Sequence, residues 1–182
     1  MNRFFIAILP PQNIQDYANK IKQHFFDNYA SRGAQNSPPH ITLKPPFLLE
    51  QEQVSILEIF LVNFAQNQNS LPITIDGFAA FLPRVVYMNV IKNQALLKLQ
   101  SDLINDVENN LGIKDKGANN HTFTPHLTVA RKDLKKSDFY KAWDDFKERQ
   151  VYFEFVADNI TLLLNDGKKW NVKSEFSLLS NF

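Results

Sequence analysis

Pro38 to Phe47 reads PPHITLKPPF, and Thr124 to Asp133 reads TPHLTVARKD. Both stretches hold the same core: Pro, His, aliphatic, Thr, aliphatic. The chain has 4 histidines, and two of them sit in this one five-residue setting, one in each half. Side chains on a strand alternate faces with a period of two. His40 and Thr42 therefore share one face, with Ile41 and Leu43 on the other. His126 and Thr128 stand in the same relation to Leu127 and Val129. The aliphatics are expected in the core, which leaves an imidazole beside a hydroxyl on the opposite face of each strand. A lone His-x-Thr is more often a hydrogen-bonded structural feature than a site. A second matching copy arises by chance in roughly one such chain in a thousand.

The surroundings of the two copies also match. Before the first lies RFFIAIL (3–9), an aromatic and aliphatic strand stopped by Pro10-Pro11. A helix follows to Tyr29, with Ile14, Tyr17, Ile21 and Phe25 along one face. His40 to Leu43 is expected as a short strand ended by Lys44-Pro45-Pro46, and Gln51 to Phe64 as a second helix. Residues 71–81 and 84–91 read as paired strands around Leu82-Pro83. The second copy is preceded by a helix over Gln94–Leu111, capped by Gly112. It is followed by a strand from His126 to Ala130 and a helix over Lys135–Gln150. Strands over 151–164 and 170–179 join through Asn165-Asp166-Gly167. The repeated order of strand, helix, motif strand, helix suggests an ancient duplication. The expected fold is α+β: two lobes within one domain spanning 1–182, with two antiparallel sheets, flanking helices and a quasi-twofold groove. A single open α/β sheet is the alternative.

Composition narrows the function classes. Of 182 residues, 44% are hydrophobic and 21% charged, and 16 are Phe, which implies a core built on aromatic rings. The formal net charge is +1, so no global field draws the chain to nucleic acid or to a membrane. Lys114, Lys116, Arg131, Lys132, Lys135, Lys136, Lys168, Lys169 and Lys173 cluster in the second half and read as a solvated surface. There is no cysteine, which excludes disulfide and thiolate chemistry and fits a reducing compartment. The opening apolar run is too short for a signal segment, and no stretch approaches the about 20 apolar residues of a membrane span. A cytoplasmic protein is expected.

Two imidazoles and two hydroxyls facing one groove suit a particular chemistry. Histidine titrates near pH 6.5, so one ring can act as base while its partner acts as acid. Flanking a phosphodiester, one takes a proton from water or a hydroxyl and the other protonates the leaving oxygen. Threonine hydroxyls donate to the non-bridging oxygens. No H-E-x-x-H, cysteine ligand set or carboxylate cluster surrounds either motif, so neither a metal nor another cofactor is expected. There is likewise no G-x-S-x-G for a serine nucleophile.

With these motifs the chain resembles the 2H phosphoesterases, whose signature is a pair of His-x-Thr-x motifs, and most closely their 2′-5′ RNA ligase and RNA 2′,3′-cyclic phosphodiesterase group. RFFIAILPP is similar to that group's first strand, HITLKPPF to its first motif and PHLTVAR to its second, including the Arg. Val129 stands where Leu is common. The resemblance implies a bilobal α+β fold that opens 2′,3′-cyclic phosphates to 2′-phosphates, with reversible 2′-5′ ligation as a further activity. It implies His40 as proton donor, His126 as acceptor, and Thr42 and Thr128 as phosphate-binding residues. RNA or a small nucleotide with a cyclic phosphate is the implied partner, with no membrane and a monomeric state.

Several residues keep two readings. Arg131 lies five positions after His126, so it reaches phosphate only if the strand ends or bends at Ala130; otherwise it forms a surface ion pair. His121 reads as a solvated loop residue and His24 as structural. Phe5, Phe47 and Phe123 suit base stacking but also core packing. Lys44 is a candidate to screen phosphate charge, and Asn119, Asn120 and Thr122 are candidates to line the groove. A non-catalytic nucleotide- or RNA-binding module remains the alternative function. A metal-dependent hydrolase using His121 and His126 is a third.

Overall fold

The computed structural model describes residues 1–114 and 122–180. In chain order the elements are β1 (Asn2–Ile8), α1 (Gln12–Tyr29), β2 (Ile41–Leu49), α2 (Val54–Ala65), β3 (Leu71–Phe81), β4 (Val85–Val90), α3 (Gln94–Leu111), β5 (His126–Ala130), α4 (Lys136–Phe146), β6 (Tyr152–Ala157), β7 (Asn159–Asn165) and β8 (Trp170–Ser177). Short 3-10 turns cover Gly33–Asn36 and Gln51–Gln53. His121, Asn119, Asn120 and Lys116 lie outside the described residues.

The fold is α+β. Its strands are antiparallel and curl into a half-barrel in the order β6-β3-β4-β5-β2-β1-β7-β8. The two expected sheets are the halves of this one sheet. β6-β3-β4-β5 and β2-β1-β7-β8 meet where the two motif strands touch, through the single registered pair Ile41↔Leu127. The duplication is visible as β1-α1-β2 against β4-α3-β5. Both helices reach across the seam: α1 packs on β5, and α3 packs on β2 while also touching β3 of its own half.

β1 explains the apolar opening run, because it is buried on both faces. Phe4, Ile6 and Ile8 join the main core with Phe25, Phe139 and Phe146, while Phe5 and Ala7 form a second cluster with Leu163 on the other face. Each such side chain removed from water contributes about 1.5–3 kcal/mol. That face also carries Leu9 and Trp170.

Three boundaries differ markedly from the sequence expectation, the first being α4, which ends at Phe146 and not at Gln150. β2 does not stop at Lys44 but runs through Pro45 and Pro46 to Leu49. Its only pairing with β5 is at Ile41, so beyond that residue one side of β2 needs no ladder donor, and proline is tolerated there. On the other side the β1 register jumps from Phe4↔Phe47 to Ile6↔Lys44, a bulge that absorbs both prolines. The expected strand over 151–164 is two strands that part at Asp158. β6 pairs with β3 in one half, and β7 pairs with β1 in the other. No helix among the described residues is long and apolar enough to cross a membrane.

Candidate active site

The two motif strands behave as the period of two requires. Ile41, Leu43, Leu127 and Val129 are all buried in the core, while His40, Thr42, His126 and Thr128 are half-buried. The pair Ile41↔Leu127 then fixes how the two sets meet. In an antiparallel pair, one step either way from a registered position gives the next opposed residues. His40 therefore stands across from Thr128, and Thr42 across from His126. The four side chains form a small rectangle on one face, with the imidazoles at opposite corners. Diagonal neighbours of this kind lie about 7–8 Å apart between backbones. That leaves room for one tetrahedral group between the rings.

The rectangle borders a cleft of about 230 Å³ lined by Arg3, Phe5, Ala34, Ser37, His40, Thr42, Pro46, His126, Thr128, Arg131 and Trp170. Arg131 reaches it because β5 ends at Ala130, so strict alternation no longer governs the next residue. The cleft adjoins a larger groove of about 1510 Å³, which shares Arg3, Thr42 and His126 and adds Phe47, Phe81, Thr122 and Phe123. Lys44 lines neither cavity. It is buried, with its ammonium 5.5 Å from the centre of the Phe47 ring. His24 sits among Phe25, Tyr29 and Phe146, with its ring 5.6 Å from Phe146, as a structural residue.

Both candidate histidines are held in the same way. The Pro38 carbonyl accepts from His40 Nδ1 at 2.7 Å, and the Thr124 carbonyl accepts from His126 Nδ1 at 2.7 Å. A carbonyl can only accept, so Nδ1 carries the proton in each ring. Nε2 is then the atom left to exchange a proton. Aromatic rings fix the planes: Phe5 lies 4.7 Å from His40, and Phe81 and Tyr87 lie 5.0 and 5.2 Å from His126. Burial pushes His40 down to about 4, opposed by its bond to the Pro38 carbonyl and helped by the charges of Lys22, His126 and Arg131. Burial also lowers His126, against the bond to Thr124. With the cleft empty both rings are neutral at pH 7, next to the fixed charge of Arg131.

Arg3 and Trp170 were not legible as site residues. Trp170 packs edge-on against Phe5 at 4.6 Å, and the Arg3 guanidinium lies 5.6 Å from the Trp170 ring. They come from β1 and β8, which meet the cleft only after β7 has paired with β1. Their residue types carry no motif.

Among the described residues, no three His, Asp or Glu side chains converge as a metal-binding group.

Known proteins of similar sequence and shape share the whole layout. A provisionally named phosphoesterase of Geobacillus kaustophilus is 30% identical over 177 residues, covering 96% of this chain and 95% of its own length. Another from Bacillus pumilus is 28% identical over 179 residues, covering 97% of each chain. TT0787 of Thermus thermophilus shares the fold at a TM-score of 0.72 and 19% identity, over 99% of this chain and all of its own. E. coli LigT, crystallised with 3′-AMP, shares it at 0.68 and 18%, over 97% and 98% of the two chains. The sequence pattern of the 2′-5′ RNA ligase superfamily matches residues 10–169, from the end of β1 to the turn before β8. A match of that extent, spanning both His-x-Thr strands, shows that the chain belongs to the 2′-5′ RNA ligase superfamily of 2H phosphoesterases.

Proposed function

We propose that the chain is a phosphodiesterase that opens 2′,3′-cyclic phosphate ends of RNA or small nucleotides to 2′-phosphomonoesters, with no metal ion in the step. The observation that carries this reading is the gathering of both imidazoles, both threonines and Arg131 around one small cleft.

In this reading His126 Nε2 takes a proton from water as the water oxygen attacks phosphorus. The bond from phosphorus to O3′ breaks, and O3′ leaves with a proton delivered by His40. The bond to O2′ stays, so the product is the 2′-phosphate. Thr42 and Thr128 donate to the non-bridging oxygens, and Arg131 balances their charge. A ribose 5′-hydroxyl in place of water gives a 2′-5′ linkage by the same proton movements, and cleavage of that linkage runs them backwards. The diagonal arrangement of the histidines supports in-line attack, because it sets acid and base on opposite sides of the phosphorus. The apolar groove, with Phe47, Phe81 and Phe123 along it, suits stacked bases of a single strand. E. coli LigT has been crystallised with 3′-AMP and with NADP+, which supports a nucleotide-sized ligand here.

The deciding experiment is a panel of 2′,3′-cyclic, 3′,5′-cyclic and 2′-5′-linked substrates turned over in EDTA, with product isomers identified. The expected result is a 2′-phosphate from the 2′,3′-cyclic substrates at a rate the chelator does not change. Complete inhibition by EDTA, restored by a divalent metal, rejects the mechanism. Binding without turnover of any substrate favours the binding module.

The pH dependence follows from the two rings. The kcat/KM profile reports the free protein. Its rising limb belongs to the base losing a proton, and its falling limb to the acid losing one. Both imidazoles titrate below their ordinary 6.5 in the empty cleft, so the maximum should lie below pH 6.5. A bound phosphodiester places negative charge between the rings and favours imidazolium, so kcat alone should peak at higher pH. A kcat/KM maximum above about pH 7.5 contradicts the burial of these rings.

A further inference from the structure

The loop that delivers His40 is tied down from behind by two charged residues that the phosphodiester chemistry does not use. Lys22, on α1, is 3% exposed, an uncommon fate for lysine. Its Nζ donates to the Ser37 carbonyl at 2.8 Å. The next carbonyl along, that of Pro38, is the one that accepts from His40 Nδ1. At the other end of the same loop, Asp133 reaches over from the turn after β5. Its Oδ1 accepts from Ser31 Oγ at 3.0 Å, and its Oδ2 accepts from the backbone N–H groups of Arg32 and Gly33 at 2.6 and 2.8 Å. Gly33 is required by that approach, since a Cβ there would lie 2.9 Å from Asp133 Oδ1.

The Asp133 contacts link sequence positions 100 to 102 residues apart, across a seam that the backbone crosses with one registered pair. We propose that Lys22 is a positioning residue for His40: its buried ammonium fixes the Ser37–Pro38 backbone that sets the His40 tautomer, while Asp133 anchors the far end of the same loop to the second motif. The charge of Lys22 acts on His40 and on Arg131. Burial and the Arg131 guanidinium bring Lys22 itself down to about 8. A buried cation at this place opposes protonation of His40 until an anion arrives in the cleft.

The inference rests on the function proposed above only in its kinetic arm, so the test has an arm that needs no substrate. The side-chain nitrogens of His40 and His126 are followed by NMR through a pH titration in the parent, in Lys22→Met and in Asp133→Asn. In the parent both rings show the Nδ1–H tautomer. In Lys22→Met the His40 signals should become a tautomer mixture and its midpoint should rise, with His126 unchanged. Asp133→Asn, which keeps one acceptor and loses the second, should give a smaller change in the same direction. Lys22→Gln, which retains a donor without the charge, should restore the tautomer but not the low midpoint. With a 2′,3′-cyclic nucleotide, kcat in Lys22→Met should fall at least about tenfold at nearly constant KM, the signature of a misplaced group. Unchanged His40 spectra in a folded Lys22→Met protein overturn the proposal. If that variant does not fold, unchanged His40 spectra in Asp133→Asn and Gly33→Ala overturn it equally. A parent protein inert toward every cyclic phosphate would sink the proposed function and leave the NMR result to decide this one.

Discussion

His40→Ala and His126→Ala should each lower kcat toward a 2′,3′-cyclic nucleotide by about a hundredfold to ten-thousandfold, the range for a positioned acid or base. Both rings are half-buried at the edge of the cleft, so truncation removes little core and the variants should stay folded. In the proposed mechanism each ring handles a different proton in the same transition state. The double variant should therefore be little worse than the poorer single one, because residues that act as a unit are not additive. Replacement by Gln or Asn would retain hydrogen bonding without titration and should not restore the rate. Single-turnover measurement separates chemistry from product release. Full activity in either alanine variant, with its fold intact by circular dichroism, removes that histidine from the mechanism.

Thr42→Val and Thr128→Val are expected to be nearly as damaging. Valine keeps the shape and the strand preference of threonine, so β2 and β5 should hold their register. What disappears is a donor aimed at an oxygen whose charge grows during reaction, and removal of one such donor typically costs about a hundredfold or more in kcat. Thr42 opposes His126, and Thr128 opposes His40, across the Ile41↔Leu127 pair. In the proposed mechanism each threonine thus serves the half of the site governed by the other motif's histidine. Inorganic phosphate, titrated as a competitive inhibitor, should bind more weakly to both variants. Val variants with unchanged kcat and unchanged phosphate affinity would show that the hydroxyls face something other than the substrate.

The gathering of His40, Thr42, His126 and Thr128 on one face was legible because it depends on short-range geometry. Alternation alone separates His40 and Thr42 from Ile41 and Leu43, and two copies made the pattern specific. The third helix and its Gly112 cap, at φ 65°, were legible for the same local reason. What stayed hidden depends on partners distant in sequence. Pro45-Pro46 looked like a strand end because nothing local shows that one edge of β2 goes unpaired. Asp158 gave no sign that the chain changes halves there. Arg3 and Trp170 enter the cleft only through the β1-β7-β8 order, and Arg131 only because β5 ends at Ala130. Nothing in the α1 sequence marks Lys22 for burial, since the other charges of that helix face water. Its burial is set by the loop 31–39 and by β5, neither of which the α1 sequence reveals.

Because α1 crosses to cover β5 and α3 crosses to cover β2, each repeat wears the other's roof. A repeat cut loose would show bare apolar sheet to water. The spacing of the two imidazoles thus depends on helices that brace the opposite half as well as on the strands that carry the rings.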